Sequence, residues 1–316
     1  MRSTAALRRA ALPFLSAMLA LAAAGRAATR IEKTFNLEPG GRFRLQTGMG
    51  RVRVTGKSGA GAHMVVTSKG RDLDDLLTFR YEESPQSVTV VARSQHHIFF
   101  GHDSVEFEIE VPAETSIDID TSGGAITAEN LKAPAKLETS GGGITVTGLS
   151  ADLDAHTSGG SIKLRDIQGR SRVETSGGGI EAVSLQGPLR AETSGGSIHL
   201  EDVTGDADVH TSGGGITIRN AGGRVAAETS GGSIDASFAR GNARGGSLES
   251  SGGGISVALD PAVGLNIDAE GNHVRSDLPL RVQGEISRHS LRGTLGNGGE
   301  KLYLHTSGGG VKISGL

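Results

Sequence analysis

The chain has 316 residues, 32 basic against 35 acidic side chains, a formal net charge of −3 and no cysteine. These values exclude disulfide staples and a lipidated N-terminal cysteine, and they give no support to a nucleic-acid partner or a polybasic membrane patch. Glycine is abundant, at 50 residues, but it recurs periodically, which points to turns rather than to disorder.

Residues 1–24 have the layout of an export signal. Arg2, Arg8 and Arg9 form a basic start, Ala10 to Ala24 is apolar and uncharged, and Ala22-Ala23-Ala24 fits a small-residue cleavage site. The apolar run is too short for a permanent membrane anchor, and no later segment reads as a transmembrane span. Removing these three arginines takes the formal charge from −3 to −6. General secretion into the periplasm, to the cell surface or into the medium is the expected route.

Residues 25–116 lack a repeat and are expected to form a β-rich N-terminal cap. Strand-like pieces occur at Phe43–Leu45, Val52–Val54, Met64–Thr67, Ser87–Val91 and Val105–Val111, and Gly48-Met49-Gly50-Arg51-Val52 has the look of a degenerate repeat. Such a cap would cover unpaired strand edges that otherwise invite end-to-end polymerisation. The segment also holds a cluster, His96, His97, His102 and Asp103, around Phe99 and Phe100. Imidazole and carboxylate are zinc or copper ligands. However, His96 and His97 are adjacent and would point opposite ways if extended, so a solvent-facing loop is preferred and no metal is assigned.

Residues 117–316 are organised by a turn, Thr/Ser-Ser-Gly-Gly. It starts at Thr121, Thr139, Thr157, Thr175, Thr193, Thr211 and Thr229, every 18 residues, and returns at Ser250 and Thr306. A short fixed period is the signature of one unit stacked on copies of itself. Eighteen residues with period-two alternation hold two or three short strands and no useful helix. The expected fold is therefore all-β, a single-stranded parallel β-helix (β-solenoid) with one turn sequence per rung. In the rung from Thr139, Ile144 and Val146 alternate with Thr145 and Thr147, Gly148 breaks the strand, and Leu153, Ala155 and Thr157 begin the next alternation.

Stacking turns equivalent positions into columns. Ile126, Ile144, Ile162, Ile180, Ile198, Ile216, Ile234 and Ile255 form one inward ladder, each packing on its like about 4.8 Å away. The repeat Thr shares inward parity, with its hydroxyl bonded along the ladder, while Ser faces out. Double glycines such as Gly141-Gly142 and Gly159-Gly160 supply a close approach that a Cβ would obstruct. One and three residues before each Thr lie charged outward columns in which Lys or Arg meets Glu, and Asp154 and Asp208 meet His156 and His210. The pattern breaks with three extra residues near Ala239–Gly246 and with an irregular insertion, about 260–299.

Four stretches carry a resemblance: Phe35–Gly41 ending in Pro-Gly-Gly, Val52–Gly56, Ile109-Glu110-Val111-Pro112, and a closing Gly293–Ile313. Together they resemble the bacterial "putative adhesin" β-strand-repeat family, exported proteins mostly of unknown function, over roughly residues 30–316. The resemblance implies the solenoid fold, and implies adhesion by analogy alone. Where that family often has Gly-Asp before the Ile, this chain has Gly-Gly, Gly-Ser or Gly-Ala.

Specific chemistries are poorly represented. The turns lack the carboxylate of calcium-binding β-rolls. With no Trp, two Tyr and eight Phe, the chain is short of the aromatic platforms that polysaccharide-active enzymes commonly add to a carboxylate pair. An ice-binding Thr ladder is broken at once by Lys163 and Arg165 beside Thr145 and Thr147. No catalytic residue and no cofactor are assigned. The sequence therefore suggests a non-enzymatic, adhesin-like binding protein of the bacterial envelope, whose partner is an unidentified protein or polysaccharide. The alternative is a self-associating scaffold, and a polysaccharide-active enzyme is a distant third.

Overall fold

The computed structural model describes residues 29–95, 104–283 and 287–316. The expected export signal and the cluster His96, His97, His102 and Asp103 lie outside the described residues. What is described is a parallel β-solenoid of two facing sheets, with 14 and 15 strands among the described residues. Each regular rung gives one strand to each sheet. Ala135–Thr139 ends at the repeat Thr, the Ser-Gly-Gly corner turns the chain, and Ile144–Leu149 runs back. We call the two stacks the Thr sheet and the Ile sheet. Pairing is parallel and shifted by one repeat, with Thr139 opposite Thr157 and Ile144 opposite Ile162.

The core lies between the sheets, and large and small side chains complement each other across it. Ile119 shares its rung with Ala128, Ala155 with Leu164, Val173 with Ala182, and Ala191 with Leu200, all of them buried. Where Ala227 and Ala236 are both small, Phe238 is buried nearby, opposite Ala221. This is how a stack of unequal rungs keeps a filled interior.

Gly148 does not end a strand. It lies within Ile144–Leu149 at φ +69, and the same place in other rungs is held by Asn130, Asp166, Ser184, Asp202 and Asn220, at φ 55–59. One left-handed residue shifts the alternation by a step. Val146 and Leu149, three apart, can then both face the core. The rung thus has two strands, the second kinked.

The second glycine of each turn sits directly on the rung before it. A Cβ on Gly160 would lie 2.1 Å from the carbonyl oxygen of Gly142, and one on Gly142 would lie 2.2 Å from that of Gly124. The first glycine is less confined: a Cβ on Gly159 would meet Gly141 O at 3.4 Å, ordinary contact.

Both ends depart from sequence order. Arg42–Thr47 and Arg51–Lys57 form a rung that pairs with Ser116–Thr121 and Ile126–Leu131, placing Thr47 opposite Thr121 and Val52 opposite Ile126. The chain between them builds outer layers. Ser104–Pro112 and Ser87–Ser94 lie on that rung, and antiparallel strands Ala62–Lys69 and Leu77–Ser84 follow, with Arg30–Phe35 outermost in the Ile sheet. Phe35, Phe43, Phe79, Tyr81 and Phe107 pack into this end, with Lys33 Nζ 3.8 Å from the Tyr81 ring centre. At the other end, Lys301–Thr306 and Val311–Gly315 slot between the rung at Gly246–Leu259 and an outer one at Leu265–Ser276. Ser290–Leu295 and Arg281–Val282 close the Thr sheet with antiparallel pairing. The insertion therefore holds one distorted rung and a hairpin. The extra residues before Gly246 are fixed by buried Asn242, whose amide donates to Ala221 O (2.6 Å) and Gly223 O (3.0 Å).

One core position conflicts with its neighbours. Ser171 stands in the column Ile117, Ala135, Leu153, Leu189, Ala207; it is 1% exposed and, among the described residues, its Oγ has no hydrogen-bond partner. Two predictions follow from this packing. Gly160→Ala should lower the urea midpoint by the equivalent of about 1–3 kcal/mol, while Gly159→Ala stays within about 0.5 kcal/mol of the parent; equal effects at the two sites would refute the stacking account. Ser171→Ala, which removes an unsatisfied buried hydroxyl, should raise stability by roughly 1 kcal/mol, and a loss would show that the hydroxyl has a partner after all.

Candidate functional site

The turn residues form the ridge where the sheets meet. Thr157 Oγ1 donates to Gly142 O at 2.7 Å and accepts from the Gly160 N–H at 3.3 Å. Thr139, Thr175, Thr193, Thr211 and Thr229 donate in the same way at 2.7–2.8 Å. Thr121 reaches back to Gly50 O at 3.3 Å, which joins the ladder to the N-terminal rung. These hydroxyls are buried and fully used, and the column from Ile126 to Ile255 is likewise inside the core. Neither set can meet a ligand. What faces solvent on the ridge is the Ser of each turn, with the backbone of the first glycine beside it.

The surface with chemical variety is the outside of the Thr sheet. Lys136 Nζ lies 2.9 Å from Glu138, and Arg190 Nε is bonded to Glu192 on its own strand. His210 sits between Asp208 (2.8 Å) and Glu228 (3.3 Å) of the next rung. His156 does not pair with Asp154 as its spacing suggests; its Nδ1 is nearest Glu174 of the following rung, at 3.8 Å. Exposed pairs of this kind contribute at most about 1 kcal/mol each. Their effect is to hold long side chains in a fixed pattern on a rigid sheet.

Sequence reasoning overlooked one column, five residues before each Thr: Ser116, Pro134, Asp152, Arg170, Pro188, Asp206 and Arg224. In the structure these residues wall a groove along the Thr-sheet corner. Two adjoining hollows of about 550 and 490 Å³ share Arg170 and Arg172 and together run from Arg42 to Ala226. The charge at this position was the available signal, but it lies where strand alternation ends. Among the described residues, no group of three or more His, Asp or Glu is placed to hold a metal ion, and no helix is long and apolar enough to cross a membrane.

At the C-terminal end of the face, strands from three separate segments bring Glu249, His305 and Glu270 side by side. The Tyr303 and His305 rings are parallel, 6.0 Å between centres. Asp268, whose side chain is 16% exposed, lies 3.0 Å from Lys301 Nζ and 3.2 Å from Arg292 Nε. Burial acts to raise its pKa, but the hydrogen bonds from Lys301 and Arg292 outweigh it and hold the carboxyl below its ordinary value. A depressed folded pKa stabilises the protein above the unfolded value, about 3.9, and that contribution is lost as pH falls through the folded pKa. Asp268→Asn should therefore cost on the order of 1 kcal/mol at pH 7, with the gap to the parent narrowing at pH 3. Urea melts of both proteins at the two pH values check this, and a gap independent of pH would contradict it.

Comparison with solved structures gives alignments of low identity. A crystal structure of a "putative cell adhesion protein" from Clostridium sporogenes ATCC 15579 aligns over 91% of this chain and 100% of its own, at 12% identity and a TM-score of 0.20. One of a "putative adhesin" from Bacteroides fragilis NCTC 9343 aligns over 91% of this chain and 97% of its own, at 10% identity and a TM-score of 0.29. No curated protein matches the chain. The family model described as Toastrack DUF4097 matches residues 44–314, and the chain belongs to that family.

Proposed function

We propose that this chain is an exported, non-enzymatic binding protein of the bacterial envelope that presents the outside of its Thr sheet to a macromolecule, in the manner of an adhesin. The observation that carries this reading is the face itself. Its ionic side chains are held in register on strands about 4.8 Å apart, with same-strand pairs such as Lys136–Glu138 and Arg190–Glu192 repeated along the stack. A rigid extended surface of this kind suits recognition of a partner that is itself extended, because little ordering entropy is left to lose on binding. The export reading rests on residues 1–24 and the absence of cysteine.

A self-associating scaffold is the second reading. End-to-end growth is disfavoured by the ends, where the edges are charged or very short: Arg30–Phe35 at one, the two-residue strand Arg281–Val282 at the other. Protease digestion of the tagged protein on intact and on osmotically opened cells tests the placement. Cleavage on intact cells is the expected result. Protection until the envelope is opened would overturn the adhesin reading in favour of a periplasmic binding module.

A further inference from the structure

Along the groove the outer wall alternates in sign from rung to rung: Asp118, Lys136, Asp154, Arg172. The alternation then fails. Arg190 follows where a carboxylate would continue it, and Arg172 and Arg190 are direct cross-strand partners. Like charges placed opposite one another are destabilising. The inner wall has the same fault, since Asp152 and Arg170 are followed by Pro188 before Asp206 restores the sign. Four arginines line one hollow of about 490 Å³: Arg224 lies beyond Asp206 and Asp208, while Arg170, Arg172 and Arg190 form a triad around Pro188 and Leu189.

Their existing partners leave hydrogen-bonding capacity. Arg172 approaches Glu174 only at 4.0 Å, and Arg190 uses Nε for Glu192 and reaches Asp208 at 3.4 Å through Nη1. No side-chain ion pair engages Arg170 among the described residues; its backbone N–H donates to Asp152 at 2.9 Å and its carbonyl accepts from the Leu153 N–H at 2.8 Å.

We propose that this triad binds a carboxylate of an acidic glycan, one whose uronate units are separated by neutral sugars. The proposal rests on the binding-protein reading above and gives it a ligand class. A guanidinium fork matches a carboxylate in bidentate fashion. Exposed Pro188 offers an apolar rest for the C–H face of a sugar ring. The groove is open along the stack, so a chain can run through it. Asp152 and Asp154 on one side and Asp206 and Asp208 on the other bracket the triad. They repel a uniformly charged polymer, whether nucleic acid or polyuronate, but accept hydrogen bonds from neutral sugar hydroxyls.

The test is equilibrium binding by calorimetry to the purified chain without its export signal, at constant salt. The probes are hyaluronan tetrasaccharide (uronate alternating with a neutral amino sugar), chitotetraose, tetragalacturonate and free glucuronate. Expected are binding of the hyaluronan fragment at least tenfold tighter than each of the others, and a tenfold or greater loss in Arg170→Gln. Arg190→Gln, which removes the like-charge contact with Arg172 and with it the exposed pairs to Glu192 and Asp208, should weaken binding tenfold or more while its thermal midpoint stays within about 2 °C of the parent's. Arg165→Gln on the Ile sheet should bind as the parent does. The proposal is overturned by no binding, by equal binding of chitotetraose or tetragalacturonate, by free glucuronate binding as tightly (an anion site only), or by equal loss in Arg165→Gln. Binding by a protein that intact cells protect from protease would move the compartment and leave the groove assignment standing. Surface exposure without binding would do the reverse.

Discussion

Everything in this molecule hangs on one backbone contact, the seat of the second turn glycine on the carbonyl of the rung before it. The oxygen of Gly142 is 2.7 Å from Thr157 Oγ1 and would be 2.1 Å from a Cβ on Gly160. A single atom thus selects two residues of the next rung, a Thr that can donate to it and a Gly that can sit beside it. A slip of one residue would take the Thr hydroxyl off that oxygen and turn every strand over, core face to solvent. The register is fixed at the corner, and the strands inherit it.

Alignment at the corner gives the rest of the architecture its character. Ile stacks on Ile because nothing allows an offset, so volume has to be balanced across the core rather than along it, as the pairs Ala155 with Leu164 and Ala191 with Leu200 do. On the outside the same alignment would set like charges in a row. The chain relieves this by pairing within a strand, as in Lys136 with Glu138, and between rungs, as in His210 with Glu228. None of these exposed pairs contributes much to stability. Their regularity matters because it sets an expectation for each position.

How much could be read without coordinates depended on whether a feature repeats by type. The Thr, the second Gly and the Ile recur as the same letters, and the solenoid was legible from them alone. The left-handed kink was not, because Asn130, Gly148, Asp166 and Ser184 share a backbone preference and no letter; only the glycine stood out, and it suggested a break where there is a bend. Both ends were illegible for a topological reason. Residues 42–57 stack on 116–131, and 301–315 lie between 246–259 and 265–276, and no period links segments that are neighbours in space but not in sequence. The charged columns could be listed from sequence, yet which carboxylate His156 approaches depends on side-chain direction. The groove escaped because its inner wall mixes Pro, Asp and Arg at a corner where the two-residue rhythm has stopped.

A repeat of this precision changes what counts as informative. On an irregular globular surface an exposed arginine carries no expectation and its presence needs no reason. Here the neighbouring rungs state what should be found, and departures can be sorted by what they accomplish. Phe238 departs from its column and fills a space that three alanines leave. Asn242 departs and satisfies two buried carbonyls. Arg190 and Pro188 depart in another sense: Arg190 sets a second guanidinium opposite Arg172, Pro188 leaves Arg170 without an acid on that side, and neither fills a void. A departure that improves packing is explained by the fold, whereas one that sets like charges opposite each other on a solvent-facing wall is where the repeat points to a ligand.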